Sequence, residues 1–224
     1  MNEILENLEY LGFYSYEEPS LVPIIQLVQL SNNSVWLTEG RYKRLNTLDI
    51  TLSSIANELM YNSNDFLYLY RSLPPHRCFS IDKEELYEYP PLIFEDNYLC
   101  NSLKECGVVI NNVDEYEDDD GNLFLITNVE RFLICPTEFR SPSTQNVYLN
   151  WRVVAARIFL MLNIILSQSN STEKFYVLRE EGKEGIITVV LLNSSMFRFF
   201  QDTKNLEERY LLKPIEKYFK NILS

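Results

Sequence analysis

Glycine is scarce in this chain, with six in 224 residues, so the flexible glycine-rich loops that cradle phosphates are missing. No GxxxxGK(S/T), GxGxxG or HExxH pattern occurs, which removes the commonest routes to an NTPase, a dinucleotide enzyme and a zinc protease. Histidine occurs once, as His76. That excludes a histidine-rich zinc site and makes any histidine-based triad depend on one residue beside Pro74-Pro75. The four cysteines, Cys78, Cys100, Cys106 and Cys135, show no CxxC spacing. A chain of this size builds a core without disulfide staples, so they are read as reduced and mostly buried.

Long apolar runs are lacking too. The most apolar stretch, Val153 to Leu166, is interrupted by Arg157 and Asn163 and falls short of the ~20 residues of a spanning helix, which predicts a buried core helix and no membrane association. Met1 to Glu9 carries three glutamates and no base, the wrong charge for a signal or transit peptide, so a cytoplasmic location, or a nuclear one, is expected. Bases cluster nowhere beyond Arg41, Lys43 and Arg44, so direct nucleic-acid binding through a basic patch is not expected.

What the chain does have is acid in one place. Fourteen of its thirty-two acidic residues, against two of its twenty bases, lie between Asp82 and Glu130, a net charge of −12. The remaining eighteen acids and eighteen bases cancel. A field of one sign this concentrated points to a cationic partner or a metal.

Patterning gives the elements. Ile4, Leu5, Leu8 and Leu11 stand at helical spacing from Asn2 to Leu11, with Gly12 as a stop. Leu21–Leu30 and Ser34–Leu37 read as a hairpin, Thr51–Tyr61 as a helix and Cys78–Ile81 as a strand. Asp82 is a candidate N-cap with Glu84 and Glu85 in the first turn. Asp96–Glu105 reads as a helix stopped by Gly107, with Leu99, Leu103 and Cys106 inward. Val108–Val113 and Leu123–Ile134 are predicted as two long strands around an acidic loop, Asp114 to Asn122. A buried helix over Asn150–Gln168 follows, then strands over Phe175–Arg179 and Ile186–Leu192. Helices are predicted over Ser194–Asp202 and Leu206–Leu223, the second kinked or split at Pro214. Hairpins and helices without regular alternation indicate an α+β fold, with antiparallel hairpins packed against a buried central helix and a C-terminal helix. A single domain over residues 1–224 is expected, and 137–147, rich in polar residues and proline, is the place where it could divide.

The acid run Asp114-Glu115-Tyr116-Glu117-Asp118-Asp119-Asp120 is the candidate site. Its Asp118-x-Asp120-Gly121 core has the form of a calcium loop. With Gly121 at the sixth position, however, the first ligand position is Tyr116 and the closing one Thr127, and neither supplies a carboxylate. No metal and no cofactor is therefore expected. A solvated Asp-Gly turn is the bland reading and an electrostatic contact for a basic partner the functional one. Tyr87 and Tyr89 share the acidic segment, and tyrosine combines apolar area with a hydroxyl, as interface anchors do. Pairs such as Glu84/Glu85 and Asp118/Asp120 do not by themselves identify an acid–base enzyme.

The function expected is that of a non-enzymatic acidic interaction protein with a basic protein partner. An inhibitor or immunity protein that blocks a cationic nuclease toxin is one form of it. Two alternatives stay open. One is a subunit or adaptor of a larger complex, which apolar surface patches would reveal. The other is an enzyme whose carboxylates only the fold brings together.

Overall fold

The computed structural model of the chain describes residues 3–16, 22, 77–95, 97–140, 147–180, 185–202 and 212–223. The hairpin expected over 21–37, the helix over 51–61, the Arg41–Arg44 trio and His76 lie outside them. Helix α1 (Glu3–Tyr10) buries Leu8, and Gly12, with φ +81°, turns the chain after it. A side chain in that left-handed conformation would be strained, which is why glycine stops this helix.

Strand β1 (Cys78–Asp82) runs into helix α2 (Lys83–Glu88), where the Asp82 carboxylate accepts the Glu84 N–H at 2.8 Å as an N-cap. A short helical turn over Pro90–Phe94 leads to helix α3 (Asn97–Glu105), which buries Leu99 and Leu103 and ends at Gly107, φ +78°. Cys106 packs half-buried against the same core.

The next region differs from its sequence reading. The acidic residues form strand β2 (Asp114–Glu117), paired antiparallel with β3 (Leu123–Ile126), and β3 pairs in turn with β4 (Arg131–Cys135). Val108–Val113, expected as a strand, has no ladder among the described residues. Two of its polar groups are taken by one asparagine side chain: Asn128 Oδ1 accepts the Asn111 N–H at 2.8 Å, and Asn128 Nδ2 donates to the Val109 carbonyl at 2.9 Å. The expected long strand from Leu123 to Ile134 is two strands, because Thr127 turns the chain and its hydroxyl accepts the N–H groups of Val129 and Glu130. Aspartate and glutamate are poor strand formers, but at a sheet edge both faces of β2 stay in water, and the apolar partner β3 supplies the pairing.

Helix α4 (Val147–Gln168) is the centre of the molecule. It is longer than expected. At 22 residues it is long and apolar enough to cross a membrane by length and composition, yet Val153 to Ala156, Ile158, Phe159, Met161 and Leu162 are all buried inside the fold. Asn163, a polar break in that run, docks the helix: it accepts the Phe175 N–H at 2.7 Å and donates to the Phe175 carbonyl at 3.2 Å.

Phe175 belongs to strand β5 (Glu173–Glu180), which forms a hairpin with β6 (Ile186–Asn193). The four-stranded antiparallel sheet has the order β1-β6-β5-β7, and its last strand is Lys213–Pro214. One face, with Phe79, Phe175, Val177, Val189 and Leu191, packs on α4. The other, with Tyr176, Leu178, Val190 and Leu192, packs on α1 and on helix α5 (Ser194–Asp202). Coverage on both faces accounts for the nearly unbroken apolar sequence of β6. A bulge in β5 between Val177 and Arg179 shifts the register there by one residue.

At the C-terminus the break expected at Pro214 is present, but as a short edge strand and not as a kink within a helix. Residues 203–211 lie outside the description, and Pro214, which has no N–H to donate, closes the edge strand β7. Two short helices, α6 (Ile215–Tyr218) and α7 (Lys220–Leu223), follow it. The fold is α+β, with helices packed on antiparallel sheets. One core cluster draws residues from both sides of 137–147.

Candidate functional site

The structure sorts the acid run residue by residue. Asp118 organises the β2–β3 turn: its Oδ1 accepts the N–H groups of Asp120 at 3.1 Å and Asn122 at 2.8 Å, and its Oδ2 accepts the Asn122 side-chain amide at 3.1 Å. Some desolvation pushes its pKa up, but those hydrogen bonds hold it below the usual carboxylate range. Both oxygens of the residue at the heart of the calcium-like pattern are thus spent on its own loop. Glu117 forms an ion pair with Arg140. Tyr116 is covered on one side by Arg131, whose guanidinium lies 4.6 Å from its ring centre and 3.7 Å from that of Phe124. Asp114, Glu115, Asp119 and Asp120 are exposed and make no ion pair with any described residue.

The two tyrosines part company. Tyr87 is half-buried against the core, and burial followed by the neighbouring Cys135 raises its phenol pKa. Cys135 itself is fully buried, which pushes its thiol up to about 11 and leaves it unreactive at neutral pH. Tyr89 is exposed. Its phenol is raised by desolvation and then by the nearby carboxylates of Glu95, Glu115 and Asp114.

Tyr89 therefore stands between β2 and a second group of acids. Asp82, Glu85 and Glu95 line a cavity of about 310 Å³ whose other walls are Ile81, Leu92, Ile93 and Leu99. Asp82 caps α2 as its position predicts, and it lines this cavity as well. The signal in the sequence was the charge count over 82–130. What it could not convey is that residues 82–95 and 114–115 meet around Tyr89. Among the described residues no three histidine, cysteine or acidic side chains converge closely enough to hold a metal ion.

On the α2 part of this face the one base is withdrawn, whereas on the β2 part Arg131 and Arg140 remain, over Tyr116 and paired with Glu117. Lys83, the one base in residues 82–95, is 3% exposed and forms an ion pair with Glu180. Glu180 also takes Arg152 Nε at 2.8 Å and the Tyr218 hydroxyl at 2.7 Å. Desolvation raises its pKa, but the bonds from Lys83 and Tyr218 outweigh that and hold the carboxylate below its ordinary value.

A matching arrangement sits at the other end of the sheet. Arg77, 2% exposed, donates to Glu173 Oε2 at 3.1 Å, to the Phe13 carbonyl at 2.7 Å and to the Leu191 carbonyl at 3.0 Å, and stacks 4.1 Å over Tyr16. These two buried networks are structural, and sequence reading did not identify either, since the partners lie 96 and 97 residues apart. No family model, curated protein or solved structure matches this chain.

Proposed function

We propose that the chain is a non-enzymatic interaction protein that engages a basic protein partner through the face built from α2, the Pro90–Phe94 turn and β2. The observation that carries this reading is the separation of charges. Asp114, Glu115, Asp119 and Asp120 are exposed without ion-pair partners among the described residues, while Lys83 is buried on Glu180. Such a face raises the encounter rate with a cationic surface and repels acidic ones. An inhibitor or immunity protein of a cationic nuclease toxin is a form of this reading in which the acids occupy the enzyme's basic groove in place of phosphates.

Affinity capture of the full chain, followed by stopped-flow association of the recovered partner, tests the reading. Association should slow steeply as salt is added, and D114N/E115Q/D119N/D120N should slow it at low salt with little change in dissociation. A partner whose binding ignores both salt and the four substitutions would refute the proposal.

A further inference from the structure

The geometry points to the cavity between β1, α2, the Pro90–Phe94 turn and α3 as the seat for one lysine or arginine side chain projected by the basic partner. This rests on the acidic-face reading and gives it a specific anchor. The cavity holds about 310 Å³, the lower end of the roughly 300–1,000 Å³ found for small-molecule sites. That is room for a side chain and too little for a large cofactor. Four of its lining residues are aliphatic and three are carboxylates. Lysine and arginine have the complementary build, an aliphatic stem that covers apolar surface and a charged head that stays with polar groups. A neutral apolar group would strip water from carboxylates and return no hydrogen bond, and an anion would be repelled.

The carboxylates are available to such a guest. No base lines the cavity among the described residues, and Lys83 is turned into the core. Glu85 and Glu95 are exposed, so a guest need displace only part of their hydration. Asp82 has its Oδ1 engaged in capping α2, and is a fixed wall more than a free ligand. The three acids line the cavity without converging as metal ligands do, an arrangement that suits a broad organic cation better than an ion. Tyr89, beside Glu95, continues the acidic surface towards Asp114 and Glu115.

Methyl NMR of the full chain provides the test, with N-acetylarginine methylamide, N-acetyllysine methylamide and N-acetylnorleucine methylamide as probes. The two cationic amides should shift the methyls of Ile81, Leu92, Ile93 and Leu99 saturably, and the norleucine amide should not. E85Q/E95Q should weaken the cationic amides by about tenfold, the sum of two exposed charge contacts, while D202N/E216Q, with its acids on other elements, should leave them unchanged. Equal shifts from the norleucine amide, or no methyl response to either cation, would overturn the assignment.

An arginine-rich peptide separates this from the wider reading. If the amides leave the methyls unmoved while the peptide binds in a salt-dependent way that D114N/E115Q/D119N/D120N weakens, the seat is refuted and the acidic face stands. If peptide binding ignores both sets of substitutions, the two fall together.

Discussion

Around the four-stranded sheet, Arg77 and Lys83 are each sealed against a carboxylate of β5, whereas around the three-stranded sheet Asp114, Glu115, Asp119 and Asp120 face solvent with no ion-pair partner among the described residues. Burial decides what each charge can do. A cation at 2–3% exposure must be matched, because an uncompensated buried charge costs several kcal/mol. An exposed carboxylate meets no such requirement and is free to act on whatever approaches. The same residue types thus fasten one sheet and stay solvated on the other. The contrast yields tests on both sides.

The largest effect is expected on the buried side. Glu180→Ala leaves Lys83 in the core without its carboxylate and should cost about 3–5 kcal/mol in urea unfolding. A cost as small as that of a surface change would mean the pair does not fasten the sheet. The pH dependence sharpens the same point. Because the folded-state pKa of Glu180 lies below its unfolded value, its stabilisation is fully present above the ordinary glutamate pKa of about 4.3 and is lost as pH falls through the folded value. The stability gap between wild type and Glu180→Gln should accordingly hold steady near neutrality and narrow in acid.

A smaller, local effect is expected at the hairpin. Asp118→Ala removes the acceptor for Asp120 and Asn122, so hydrogen exchange at those amides should accelerate while the global unfolding midpoint moves far less than in Glu180→Ala. The smallest change in stability belongs to D114N/E115Q/D119N/D120N, within about ±0.5 kcal/mol, as for surface substitutions generally. If this variant unfolded as readily as Glu180→Ala, the division between fastening charges and solvated charges would collapse.

Local chemistry was legible in the sequence. The Asp82 cap, the stops at Gly12 and Gly107, helix α4 and the β5–β6 hairpin all rest on residues within a few positions of one another. The acidic strand was not legible, because a run of aspartate and glutamate carries loop-like propensity and becomes a strand only through the Leu123–Ile126 partner. Val108–Val113 failed in the opposite sense: its apolar, β-branched composition suggested a strand, but Asn128 holds its backbone instead. The break at Pro214 was legible from the residue itself, but the strand it closes was not, because periodicity does not register the pairing of Pro214 with Tyr176. The candidate cavity escaped for a similar reason. Its acids were counted correctly, but their common neighbours, Ile81, Leu92, Ile93 and Leu99, are assembled by tertiary packing.

The bulge in β5 does more than perturb a ladder. Arg77 and Lys83 are six residues apart, while their carboxylates, Glu173 and Glu180, are seven apart, so the two spans do not match in length. In an unbroken strand an odd separation places two side chains on opposite faces, and Glu180 would then point toward α1 and α5, away from Lys83, Arg152 and Tyr218. The extra residue between Val177 and Arg179 restores the parity and sets Glu180 opposite Ile187, on the side of the sheet that packs against α4. One surplus residue thus works as a phase corrector, allowing a single strand to close an ionic lock at each of its ends.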